Sequence, residues 1–301
     1  AEVADRYHKV GGVSPINRRI RKLVGNLADE LARRDVDLPV YWGNRNATPL
    51  LADTLASMVD AGHRRALAWA ASPYSSYSSC RQYGEDLEAA REASSVMAPQ
   101  VKWIRRHHDH PGLIEPAADR LTEALDRLPT DRRQDAVLAF SAHSIPTTMA
   151  LRCRYEAEVA EVARLVAERV DPAGNHRREV VWQSRSGPSG VPWLEPDVAD
   201  RIRTLAAEGV DAVAVSPIGF PVENFEITWD LDIEAAQAAK KSGMAFVRAR
   251  TVDDDPRFVT MVANLVAERA RPPDGKRAAL GLLGLAPDTC SADCCPPPPH
   301  N

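Results

Sequence analysis

Phe140-Ser141-Ala142-His143-Ser144-Ile145-Pro146 follows the apolar run Ala136 to Phe140 and precedes a helix-like segment from Thr147. A short apolar run that breaks into small residues and then a helical pattern reads as a buried parallel strand opening into a loop. In an open α/β sheet, ligands bind at the carboxyl ends of such strands, so His143 reads as a site histidine. The plainer alternative is an imidazole that only hydrogen-bonds a neighbouring loop.

Outward from this stretch, short β-branched or apolar runs alternate with longer helical patterns rich in alanine, arginine and glutamate. The expected strands are Pro39 to Trp42, Arg65 to Ala70, Ala136 to Phe140, Glu179 to Gln183, Val210 to Val215 and Met244 to Arg248. Ile20 to Arg34, Tyr155 to Arg169 and Pro196 to Glu208 are expected helices. That alternation predicts an α/β fold whose parallel sheets are flanked by helices on both faces. The polar, turn-like Leu128-Pro129-Thr130-Asp131-Arg132-Arg133 divides it into 1–133 and 134–270, with a tail over 271–301.

A second feature follows the apolar run Ala212 to Val215. Glu226, Asp230 and Glu234 recur at intervals of four, so on a helix they form a line of like charges along one face. A solvated helix would intersperse lysine or arginine, whereas Phe225, Trp229 and Ile233 occupy the neighbouring stripe. A helix macrodipole favours acids in a first turn, which accounts for Glu223 and Glu226 but not for Glu234 two turns on. The line suits a conduit for protons or for a hard divalent cation.

In these two segments, and through nearly all its length, the chain resembles the ferrochelatases. The resemblance is carried by Gly11-Gly12-Val13-Ser14-Pro15, by Trp42-Gly43-Asn44-Arg45-Asn46-Ala47-Thr48-Pro49, and by Pro73-Tyr74-Ser75-Ser76-Tyr77-Ser78-Ser79-Cys80-Arg81-Gln82-Tyr83. It continues in the His143 motif, in Trp182-Gln183-Ser184-Arg185-Ser186-Gly187-Pro188 with Pro192-Trp193-Leu194-Glu195-Pro196-Asp197, and in the acidic segment. The resemblance implies two similar Rossmann-like domains with a porphyrin cleft between them, and insertion of ferrous iron into the porphyrin. His143 and Glu226 would face each other across the macrocycle and meet the iron. Ser14 and Tyr83 would contact the porphyrin, and Asp230 and Glu234 would relay protons or metal. A neutral histidine suits a base, and its imidazole nitrogen equally suits a ligand for incoming iron.

The chain departs from the family twice. The family opens with a strand and a glycine-rich loop, and Ala1 stands only ten residues ahead of Gly11, so an opening strand and one lip of the cleft are expected to be missing from this chain. Where the family carries Asp-His, this chain has Glu223-Asn224, and an asparagine does not shuttle protons at neutral pH. These departures keep open a non-catalytic tetrapyrrole-binding or haem-handling role. A cobalt chelatase of the precorrin type fits the histidine but not the Gln-Ser-Arg-Ser motif or the terminal cysteines.

Five cysteines are present, and Cys290, Cys294 and Cys295 crowd the end of the chain beyond a stretch, Arg271 to Lys276, read as flexible. Such a cluster in a cytoplasmic protein suggests metal binding over disulfides, and both zinc and an iron-sulfur centre accept thiolates. The actinobacterial-type ferrochelatases, which this chain resembles, imply a [2Fe-2S] cluster held by Cys153 with Cys290, Cys294 and Cys295. Cys80, in a serine-rich loop, is left over as a free thiol. The same resemblance implies coproporphyrin III as the porphyrin and transfer of coproheme to a downstream haem-pathway enzyme. Arg45, Arg81 and Arg185 are candidates to meet its propionates, or are solvated surface residues.

The net charge of -4 gives no reason to expect a nucleic-acid partner. Apolar stretches such as Ala278 to Pro287 are too short and glycine-rich for a transmembrane segment, and no secretory signal stands out. A cytoplasmic location is expected.

Overall fold

The structure, a computed structural model, describes residues 2–94, 97–187, 190–271 and 276–298, with side chains from residue 6 onward at the N-terminus. Pro188 of the Gln-Ser-Arg-Ser motif and residues 272–275 of the stretch before the cysteines lie outside the described residues.

Among the described residues six strands form two sheets, all parallel. The first pairs β1 (Arg65–Ala68) with β2 (Gln100–Trp103). The second contains β3 (Val137–His143), β4 (Arg178–Gln183), β5 (Ala212–Ser216) and β6 (Ala245–Arg248), in the order β4-β3-β5-β6.

The alternation of side chains along a strand explains why β3 and β5 are apolar throughout. Leu138, Phe140, Ala142 and Ala214 point into one core with the helices Pro111–Leu125, Tyr155–Val170 and Pro256–Ala270. Val137, Ala139, Val213 and Val215 point into the other, with the helix Val198–Ala207 and the segment that follows β5. The first core also takes Leu23, Leu27 and Leu31 of the helix Ile16–Arg33 and Tyr74 of the loop after β1. Both halves of the chain therefore share one packed layer.

From β3 the chain crosses to β4 on one side, and from β4 it passes back to β5 on the other. The strand order thus reverses between β3 and β5, and the crevice at their carboxyl ends is the topological switch point where doubly wound folds bind ligands.

Two expectations change, and one strand is added. Pro39 to Trp42 is not a strand, because its surroundings form a local loop instead of a ladder: Thr54 Oγ1 donates to the Trp42 carbonyl, and Asn44 and Leu50 form an isolated bridge. Strand β2, with the alternating exposure of Gln100 and Lys102, was not foreseen. The acidic segment is not α-helical but a π-helix over Ile227–Ala235, continued by the α-helix Ala236–Lys241.

Candidate active site

His143 is the last residue of β3, and Glu226 stands immediately before the π-helix that follows β5. The switch point therefore brings them together, with His143 Nε2 3.5 Å from Glu226 Oε1. Both side chains are part-exposed, at 34% and 43%, so the pair is accessible from the crevice. Gly219 makes the approach possible. A Cβ there would lie 2.5 Å from Ala142 Cα, so only glycine lets the loop after β5 lie flat on the end of β3, where its N–H donates to the Ser141 carbonyl at 3.0 Å.

Hydrogen bonding orients the imidazole. His143 Nδ1 is 2.5 Å from the Ser144 carbonyl, which can only accept, so Nδ1 carries the hydrogen. In the neutral ring Nε2 then presents its lone pair toward Glu226. Tyr155 Oη donates to the His143 carbonyl at 2.9 Å and fixes the strand end. Burial opposes protonation of His143, but the hydrogen bond and charge of Glu226, with the Ser144 carbonyl and Asp230, outweigh it and raise the pKa. The site holds a base stronger than an ordinary histidine.

Asp230 lies one turn along. Burial, with the nearby Glu226 and Glu234 charges, raises its pKa to about 6, against the opposing hydrogen bonds of Ser184 and Gln183. Gln183 Nε2 donates to Asp230 Oδ2 at 3.3 Å, and Ser184 Oγ donates to the same oxygen. Ser184 adopts the left-handed region, φ 62°, which an L-residue occupies only when its surroundings hold it there. Glu234 is exposed and accepts from Trp229 Nε1 at 2.8 Å. The carboxylates thus run from the half-buried His143 pair through half-buried Asp230 to solvent. A π-helix, closed by i→i+5 bonds, keeps residues four apart on neighbouring positions of one face, and π-helical turns are frequent at functional sites.

Ser14 and Tyr83 come from the first half. Ser14 Oγ accepts from Ile16 N at the start of the helix Ile16–Arg33. Tyr83 lies in the first turn of the helix Gln82–Ser94, with the Arg45 guanidinium 5.2 Å from its ring. Tyr74 Oη donates to the Ile218 carbonyl at 2.8 Å, and Ser75 N and Oγ donate to Glu158, so the loop bearing Tyr83 is docked on the second sheet and its helices.

A family model described as Ferrochelatase matches residues 1–270. The chain belongs to the ferrochelatase family. A protein of Streptomyces griseus named coproporphyrin III ferrochelatase is 44% identical over 313 residues, spanning 98% of this chain and 84% of its own. One from Mycolicibacterium vanbaalenii with the same name is 45% identical, over 98% of this chain and 87% of its own. A Rhodopirellula baltica protein named ferrochelatase is 43% identical, over 98% and 83%. Among solved structures, SirB from Bacillus subtilis with Fe3+ superposes with a TM-score of 0.53 at 10% identity, covering 84% of this chain and 91% of its own; it shares the fold.

In this ferrochelatase chain the Glu223-Asn224 pair serves structure. Asn224 Oδ1 accepts from Ile227 N at 2.9 Å and caps the acidic segment, while Glu223 binds Arg248 and the Thr251 N–H. Arg45 pairs with Asp86, and Arg81 with Glu85. Arg185 Nη2 donates to the Val191 carbonyl. Among the described residues no helix is long and apolar enough to cross a membrane.

Four of the cysteines meet from two segments. Cys294 and Cys295 sulfurs are 3.5 Å apart, Cys290 is hydrogen-bonded to Cys294, and Cys80 meets Cys295. Cys80, expected to be the left-over free thiol, meets the tail at Cys295. The Cys295 bond, with help from Arg106 and against burial, lowers its pKa. Burial pushes Cys290 up to about 11. Cys153 directs its thiol to the Met149 and Ala150 carbonyls of its own turn at 3.3 and 3.5 Å, and the charge of Cys80 is among the influences raising its pKa, after burial. Among the described residues no three donors close around a common metal position, but the pairwise contacts that link Cys80, Cys290, Cys294 and Cys295 supply donors of the kind a thiolate-bound centre takes. Sequence reasoning set Cys80 aside as a free thiol and gave no role to Gln183, Ser184 or Tyr155. Only the Gln-Ser-Arg-Ser motif was a signal, for Gln183 and Ser184.

Proposed function

We propose that this chain inserts ferrous iron into coproporphyrin III to give coproheme III in haem biosynthesis. The observation that carries the reading is the His143–Glu226 pair at the switch point of the sheet, in a chain that matches coproporphyrin III ferrochelatases over 98% of its length. The porphyrin lies between the unit 1–133, which supplies Ser14 and Tyr83, and the unit 134–270, which supplies His143 and Glu226; 271–301 is a cysteine-bearing tail. The reaction is cytoplasmic, and coproheme passes to a later haem-pathway enzyme.

Insertion requires that the pyrrole N–H protons leave and that iron shed its water. Binding energy spent on the rest of the macrocycle bends it and exposes the nitrogen lone pairs. His143 Nε2, its lone pair directed by the Nδ1 bond, takes a pyrrole proton. Glu226 stabilises the imidazolium and passes the proton to Asp230, whose pKa of about 6 lets it both accept and release near neutrality. Exposed Glu234 returns it to water. Both pyrrole protons leave by this route, one after the other, as Fe2+ takes their place in the ring.

Coproporphyrin III is expected to show a kcat/KM at least ten-fold above that of protoporphyrin IX, on the order of one favourable charge-assisted contact to an extra propionate. Equal values for the two porphyrins would remove coproporphyrin from the reading.

The tail is read as holding a [2Fe-2S] cluster through Cys290, Cys294 and Cys295. The resemblance assigns the fourth ligand to Cys153; the contact of Cys80 with Cys295 favours Cys80 for that place. When bound, such a cluster supplies a redox-active iron centre, and the four thiolates neutralise much of its charge. The freshly purified protein should be reddish. Cys80→Ser should abolish the visible absorption and Cys153→Ser should leave it. The reverse pattern returns the ligand to Cys153, and a colourless protein with stoichiometric zinc makes the site a zinc knot.

A further inference from the structure

The tetrapeptide Cys80 to Tyr83 joins the tail to the residue assigned to the porphyrin. Arg81 stands between them, at the end of the π-turn Tyr77–Arg81 and just before the helix Gln82–Ser94. Its Nη1 donates to the Ala292 carbonyl at 2.5 Å and to the Cys294 carbonyl at 3.3 Å, more than two hundred residues away in sequence. Its Nε donates to Glu85 Oε1 at 3.0 Å, and Tyr77 Oη donates to the other oxygen of Glu85. One planar guanidinium therefore ties the tail backbone, the π-turn and the first turn of the helix into a single arrangement. Tyr83 projects from that same turn, beneath Arg45, which is itself held by Asp86.

The tail has other anchors. Arg105 donates to the Ala278 carbonyl at 2.9 Å, Arg154 to the Leu283 carbonyl at 2.7 Å and Arg152 to the Pro297 carbonyl at 3.0 Å. Gly281 and Leu282 donate their N–H groups to Asp109 and Glu161. Arg81 is thus redundant for keeping the tail on the body. What it alone supplies, among these anchors, is a connection from the tail to the helix that carries Tyr83.

We propose that Arg81 is a positioning residue for porphyrin binding: clamped on the Ala292 and Cys294 carbonyls, it sets the first turn of the Gln82–Ser94 helix so that Tyr83 meets the macrocycle. The state of the tail is thereby transmitted to the porphyrin site. This rests on the assignment of Tyr83 to the porphyrin.

The test is a titration of the full chain with free-base coproporphyrin III, without iron, followed by fluorescence, for wild type, Arg81→Ala, Arg81→Lys, Tyr83→Ala and the Arg81→Ala/Tyr83→Ala double variant. Arg81→Ala should raise Kd about ten-fold, in the range of a lost charge-assisted hydrogen bond. Arg81→Lys, which keeps one donor, should recover part of it. The double variant should bind no more weakly than Tyr83→Ala alone, because Arg81 acts through Tyr83. At saturating porphyrin and iron, kcat of Arg81→Ala should stay within about two-fold of wild type, since the His143–Glu226 pair is untouched. If Tyr83→Ala weakens binding and Arg81→Ala does not, the role of Arg81 is overturned while Tyr83 stands. A neutral Tyr83→Ala overturns both assignments, and additive losses in the double variant overturn the coupling.

Discussion

His143→Ala lowers iron insertion by at least ~100-fold, the range of a lost general base, and leaves porphyrin binding largely intact. The separation follows from geometry. The imidazole ends β3 with one nitrogen spent on the Ser144 carbonyl and the other facing Glu226, so it contributes a lone pair to the crevice and little surface to the ring. Because Glu226 and Asp230 raise its pKa against the effect of burial, the free enzyme holds His143 protonated to a higher pH than an ordinary histidine. The base is available only above that pKa, so insertion should rise with pH through a value above 6.5 and then level. Stopped-flow absorbance at a series of pH values reads both effects. Near-normal insertion by a folded variant removes His143 from the proton transfer.

Glu226→Gln produces a comparable loss, about 100-fold, with a different pH signature. Glutamine keeps the shape but removes the charge that favours the imidazolium. Burial of His143, which disfavours its charged form, is then less opposed. The His143 pKa should fall, and the rising limb of the residual rate should move to lower pH. Asp230 responds in the same direction: its pKa of about 6 is raised in part by Glu226, so removing that charge lets it ionise at lower pH. Histidine NMR titration of the folded variant checks the shift without turnover. An unmoved His143 titration would mean that the two groups do not sense each other, and the carboxylate would need another role.

The switch-point histidine was legible in the sequence because it depends on local features only: an apolar run, small residues and a helix start fix both the strand and its open end. The acidic line was legible as spacing but not as geometry, since a π-helix and an α-helix share the same interval of four over so short a stretch. Asp230 owes its raised pKa to burial and to the Glu226 and Glu234 charges, against the hydrogen bonds of Ser184 and Gln183, and those two residues reach it only because β4 pairs with β3 so that Gln183 lies beside His143. Asn224, a departure from the family when read as a missing proton carrier, proves to be a helix cap. The sequence left Cys80 as a free thiol for a similar reason. Its partner lies at the far end of the chain, and a serine-rich loop offers no periodicity from which to foresee that contact. Pro39 to Trp42 shows the opposite failure, since strand-like composition does not supply a neighbour to pair with.

The most direct test of iron insertion is anaerobic mixing of the full chain with coproporphyrin III and ferrous iron, followed by absorbance. Loss of the free-base spectrum with catalytic appearance of the coproheme spectrum, abolished in His143→Ala, is the expected result. A stable protein-bound free-base porphyrin that never takes up iron would contradict it and make the chain a tetrapyrrole carrier.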